Sequence, residues 1–138
     1  MSSEFRTSVQ GLIFIQNTIM FLQLSHTKLE VYKSCREFVL ECYKLTKVLP
    51  DEEKYAMASQ IRRAALSVHL NIAEGSSRKS EVERKRYYEI ARGSVIEIDA
   101  ALDTASDLNY LKSFNEEKLG DSMIKMFKLL SGMIEPKH

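Results

Sequence analysis

The chain has 138 residues, 44% of them hydrophobic and 28% charged, with five Gly, two Pro and a net charge of +1. These values fit one globular domain with its own core and exclude collagen-like, low-complexity or disulfide-stapled chains. Such sparse turn punctuation favours a few long helices over many short strands, and a charge this small gives no global case for a polyanion or a membrane as partner.

The first 25 residues stand apart. No Lys, Arg, Asp or Glu lies between Arg6 and Lys28, and the stretch carries Leu12, Ile13, Phe14 and Ile15, then Ile19, Met20, Phe21, Leu22 and Leu24. A membrane span needs about 20 mainly apolar residues, and Gln10, Gln16, Asn17, Thr18 and Gln23 interrupt this one. A secretory leader fits no better, because no small-x-small cleavage site follows the apolar run. Three readings stand for residues 1–25: an accessory extension packed on the domain or on a neighbouring subunit, translation from an upstream start with Met20 as the natural start, or a weakly ordered tail. The chain divides accordingly into 1–25 and a helical domain over 26–138.

The first predicted helix covers about 28–46. Val31, Tyr32, Cys35, Phe38, Val39, Cys42 and Leu45 recur in steps of three and four, a single stripe that a strand cannot produce. Cys35 and Cys42 are two turns apart, about 10 Å along a helix, whereas a disulfide needs Cα atoms within about 7 Å. Two reduced thiols in a cytoplasmic protein are the expectation.

Leu49-Pro50 breaks this helix, and Asp51, Glu52 and Glu53 suit the first turn of the next, predicted over 51–74. Its stripe is Met57, Ile61, Ala64, Ala65, Val68 and Ile72, with Ala64, Ala65 and Ser67 allowing close helix approach. Gly75 reads as its left-handed cap. The third helix, 80–109, opens with a capping box of Ser80 and Glu83 and spans about 45 Å. Its core stripe is Tyr87, Ile90 or Ala91, Ser94, Ile98, Ala101, Leu102, Ala105 and Leu108. Gly93 in mid-helix costs about 1 kcal/mol against Ala, which predicts a helix crossing there. The fourth helix, 116–134, has Ser113 and Glu116 as its capping box, carries Leu119, Met123, Met126, Phe127, Leu130 and Ile134, and stops at Pro136. Short connections between four amphipathic helices predict an all-α, up-down-up-down antiparallel four-helix bundle.

Three stretches carry a resemblance: Leu49-Pro-Asp-Glu-Glu53, Gln60-Ile-Arg-Arg-Ala-Ala-Leu-Ser-Val-His-Leu-Asn-Ile-Ala-Glu-Gly75 and Ile90-Ala-Arg-Gly-Ser-Val-Ile-Glu97. Together they resemble the four-helix-bundle family encoded by intervening sequences within bacterial 23S ribosomal RNA genes, over about 28–135. The resemblance implies a homopentameric ring. It also implies relatedness to accessory proteins of diversity-generating retroelements, which bind nucleic acid and a reverse transcriptase. The positions that match its pattern are Gln60, Arg63, Asn71, Glu74, Gly75, Gly93, Ser94 and Glu97, none with a catalytic role in that family.

Charge is segregated along the chain. Between Arg62 and Arg92 the net charge is +4, and between Gly93 and Asp121 it is −5. Arg62, Arg78, Lys79, Arg84, Lys85, Arg86 and Arg92 form a candidate phosphate-binding set around the end of the second helix and the start of the third. Local pairing of Glu81 with Lys85 and Glu89 with Arg92 would instead leave a solvated face, and a match of basic and acidic ends between subunits is a further alternative. Asp99, Asp103 and Asp107 form an acidic stripe without a ligand partner. His26, His69 and His138 lack metal-ligand spacing, so no metal is expected. A network of Arg63, Asn71 and Glu74 would fix register between helices or subunits. No nucleophile–base pair, phosphate loop or dinucleotide fingerprint is present, so neither catalysis nor a cofactor is expected. The resulting expectation is a non-enzymatic, nucleic-acid-associated scaffold or adaptor built from several copies, or, alternatively, a ring that binds only protein.

Overall fold

The computed structural model describes Leu22 and residues 30–135. The readings of residues 1–25, of His26 and His138, and of the Pro136 stop lie outside the described residues. Four α-helices make up the domain: α1 (Glu30–Thr46), α2 (Met57–Ser76), α3 (Glu81–Asp107) and α4 (Glu117–Ile134). Each packs on its chain neighbours, and α4 returns to α1. The diagonal pairs α1–α3 and α2–α4 do not approach closely. Thr46 meets Arg62, Ser76 and Ser67 meet Tyr88 and Ser94 in turn, and Glu41 meets Lys118, so the neighbouring helices α1–α2, α2–α3 and α4–α1 run antiparallel. The architecture is the predicted up-down-up-down bundle.

The stripes read from the sequence supply the core. Phe38 of α1, Ile61 of α2, Ile98 of α3 and Met126 of α4 are fully buried, with Leu45, Ile72, Leu119, Leu130 and Ile134 beside them. Removing a side chain of this size from water contributes about 1.5–3 kcal/mol. Glu41 is buried among them on α1, where Lys44 (3.0 Å) and Lys118 (3.8 Å) balance its charge.

Several local expectations are corrected. The second helix starts at Met57, not at 51. Asp51–Glu53 is a 3-10 turn, and Glu53 accepts from the Met57 N–H at 3.3 Å and from the Tyr110 hydroxyl at 3.0 Å. The second of these bonds ties the acidic segment to the turn that follows α3. Gly75 is not a left-handed cap, because no described glycine has positive φ. It lies within α2, buried against α3. Asn109 (φ 63°) is the left-handed residue instead, and it closes α3 with N–H bonds from Asn109 to Ser106 and from Tyr110 to Ala105, both 2.9 Å. Those two bonds satisfy carbonyls that a helix end leaves open.

On α3 the buried tyrosine is Tyr88, not Tyr87. Successive residues on a helix diverge by about 100°, and Gly75 gives the Tyr88 ring its seat. Ala91 is buried and Ile90 exposed, while Leu108 sits in the exposed C-terminal turn. Phe127 on α4 is half-exposed. Among the described residues no helix crosses at Gly93, where none of their atoms lies within 4 Å of the position a Cβ would take. Ser80 Oγ does accept from the Glu83 N–H (3.3 Å), but Ser113 caps nothing; Asn115 Oδ1 accepts from the Glu117 N–H at 3.0 Å in its place.

Candidate nucleic-acid interface

The connection from α2 to α3 collects the basic residues at one end of the bundle, and side-chain bonds stiffen it. Ser77 Oγ donates to the Glu74 carbonyl at 2.7 Å, and Ser76 Oγ lies 3.1 Å from the Tyr88 hydroxyl. Arg78 is ion-paired with Glu74, donates to the Tyr87 hydroxyl at 3.1 Å and lies 5.1 Å from that ring's centre. Tyr87 foremost, and then Glu74, hold the Arg78 guanidinium above its ordinary pKa, so it stays charged throughout the physiological range. From the first turn of α3, Arg84 Nη1 donates to the carbonyls of Arg78 (3.0 Å) and Lys79 (2.8 Å). Two of the predicted cations therefore brace the turn.

Three others stand free on it. Lys79, Lys85 and Arg86 are exposed and make no hydrogen bond or ion pair among the described residues. The local pairs Glu81–Lys85 and Glu89–Arg92 do not close within 4 Å; the four ion pairs among the described residues lie elsewhere. Arg92 points along the flank toward α4, where it donates to Ser131 Oγ at 3.1 Å and lies 5.8 Å from the Phe127 ring centre. Arg62 is not part of the cluster. Sixteen residues of helix put it about 24 Å from Arg78, where it donates to Thr46 Oγ1 at 3.0 Å and faces Tyr43.

The network of Arg63, Asn71 and Glu74 does not form within the chain. Eleven residues of helix separate Arg63 from Glu74 by about 16 Å, beyond side-chain reach. Asn71 instead donates to the carbonyl (2.8 Å) and hydroxyl (3.1 Å) of Ser67, and Ser94 donates to Ser67 at 3.0 Å. Gln60 donates to Glu97 at 3.0 Å. Ser67 thus joins Asn71 to Ser94, a role that its reading as a small packing residue does not contain; the i, i+4 spacing to Asn71 is the available signal. Tyr87 also escapes the sequence reading, which places it in the core, although two adjacent tyrosines cannot share one face of a helix. Arg63 is exposed and without a polar partner among the described residues.

Toward the opposite end of α3, Glu97, Asp99, Asp103 and Asp107 are all exposed, so this helix is basic at its start and acidic toward its end. No described helix is long and apolar enough to cross a membrane. A family model described as 23S rRNA-intervening sequence protein matches residues 27–132, which takes in α1, α2, α3 and nearly all of α4. No curated protein matches the chain closely enough to serve as a comparison.

Proposed function

The chain belongs to the 23S rRNA-intervening sequence protein family, and we propose that it is a non-catalytic scaffold or adaptor, assembled from several copies in the cytoplasm, that holds nucleic acid on the basic turn between α2 and α3. The observation that carries this reading is the division of labour among the cations. Arg78 and Arg84 stiffen the turn, while Lys79, Lys85 and Arg86 are left exposed and unpaired. Unpaired surface cations bind phosphates by releasing counterions, and a turn already ordered loses little entropy when it binds. A ring of five, the arrangement the resemblance implies, would repeat the patch around one axis. The free, buried thiols of Cys35 and Cys42 are compatible with a reducing compartment.

Fluorescence anisotropy with a structured RNA and a mixed-sequence DNA duplex, at about 50 and 200 mM salt, tests the proposal. Binding at the lower salt is expected with both. The triple variant Lys79→Ala, Lys85→Ala and Arg86→Ala should lose at least tenfold in affinity on every sequence while its circular dichroism is unchanged. Arg84 is left intact because it holds the turn. No binding at about 50 mM salt overturns the reading in favour of a ring that binds only protein.

A further inference from the structure

Two apolar surfaces lie on opposite sides of the bundle. One is a groove of about 300 Å³ between α3 and α4, where Ile96 is 52%, Ile124 56% and Phe127 40% exposed. The other is the outward arc of α2, where Leu66 (43%) and Leu70 (55%) stand one turn apart beside a shallow groove toward α1.

The surfaces are opposite in charge. Asp99 lines the α3–α4 groove and, with Asp103 and Glu116, the recess that continues from it, with Lys128 as the one cation among the described residues. Lys54, Arg62 and Arg63 line the α1–α2 groove, and among the described residues no carboxylate lines it. A two-fold pairing would set each surface against itself, acid on acid or base on base. A head-to-tail pairing sets acid on base and ridge in groove.

Height along the bundle also agrees. The Ser67–Ser94 and Gln60–Glu97 hydrogen bonds put Arg63 and Leu66 level with the stretch of α3 that carries Ile96. A neighbour placed alongside without sliding therefore brings Leu66 opposite Ile96, and Arg62 and Arg63 toward Asp99.

From these three agreements we infer that the chain assembles head to tail: the Leu66–Leu70 ridge of one copy seats in the α3–α4 groove of the next, with Arg62 and Arg63 against Asp99 and Asp103. An interface of this kind closes into a ring when its operator carries no translation, and the matched heights supply that condition. Every copy then points its α2–α3 turn to the same side of the assembly. The inference rests on the self-assembly part of the proposed function and is independent of nucleic-acid binding.

Light scattering on size-fractionated protein at tens of micromolar tests it. The ridge variant Leu66→Glu with Leu70→Glu, and the groove variant Ile96→Glu with Ile124→Glu, should each fall to the 15.9 kDa of one chain while remaining helical. Mixed together they should form a one-to-one pair and nothing larger, because only one intact ridge and one intact groove remain. Should either variant fail to fold, Arg63→Glu and Asp99→Lys serve instead: each alone weakens assembly at least tenfold, and the two on one chain restore it. A wild type that runs as a single chain overturns the self-assembly reading itself. A wild type that assembles while the ridge variant assembles equally well, or a mixture that stays at single-chain mass, overturns the head-to-tail docking alone.

Discussion

At Gly75 an added Cβ would stand 2.9 Å from the Tyr87 Cβ and 2.9 Å from Tyr88 Cε1, whereas at Gly93 it would meet nothing within 4 Å. The same substitution therefore has opposite signs at the two sites. Gly75→Ala should lower stability by about 1–3 kcal/mol through overpacking, and Gly93→Ala should raise it by up to about 1 kcal/mol through helix propensity. Urea unfolding at low protein concentration reads both; two shifts of the same sign would contradict the account. Both glycines stand out in the sequence, but not for these reasons. Gly75 looks like a cap because it ends an apolar stripe, and only the Tyr88 ring, supplied by another helix, explains it. The thiols were legible, since their place in the stripe predicts burial. Burial pushes both Cys35 and Cys42 up to about 12, with the neighbouring thiol and Glu41 adding to the effect at Cys42. A folded-state pKa above the unfolded value of about 8.5 contributes stability below pH 8.5 that is lost as pH rises toward 12. Tyr110, raised by its hydrogen bond to Glu53, acts in the same direction. The urea midpoint should fall between pH 8 and pH 10, and less so in a Cys35→Ala, Cys42→Ala variant; an unchanged midpoint would contradict the assignment.

Element existence followed from periodicity, and element ends followed where the signal is local, as at Thr46 and Ile134. Ser80 caps α3 through its own chain segment, so the spacing to Glu83 was enough to find it. Ser80→Ala should cost about 1 kcal/mol, read as a lower thermal midpoint, with Ser80→Asp close to wild type. A loss no larger than that of Ser113→Ala, which removes no cap, would contradict this. The start of α2 was not legible, because Pro50-Asp-Glu-Glu suits either an α-helix or a 3-10 turn. The deciding contact is Tyr110 on Glu53, 57 positions away. The third helix was read to 109 and ends at Asp107; what stayed hidden was the left-handed turn at Asn109, because Asn tolerates that conformation but signals it less strongly than Gly.

For the whole molecule, charge segregation read from the sequence survives as the two ends of α3, but the membership of the basic cluster needed coordinates. Arg62 belongs in sequence to the positive segment and in space to the opposite end of α2. Arg78 and Arg84 are basic residues whose work is within the turn, which no count of charges reveals. The two apolar faces were illegible because Leu66, Leu70, Ile96 and Ile124 lie off the core stripes, and isolated exposed apolar residues are ordinary. Their alignment on opposite sides at matching heights emerges only from the packed bundle. The central claim, that the α2–α3 turn binds phosphates, is tested most directly by the slope of log K against log salt for wild type and for the Lys79→Ala, Lys85→Ala, Arg86→Ala variant. A negative slope for wild type that flattens by about one for each contacting cation removed is the predicted result. Equal slopes in the two proteins would contradict it.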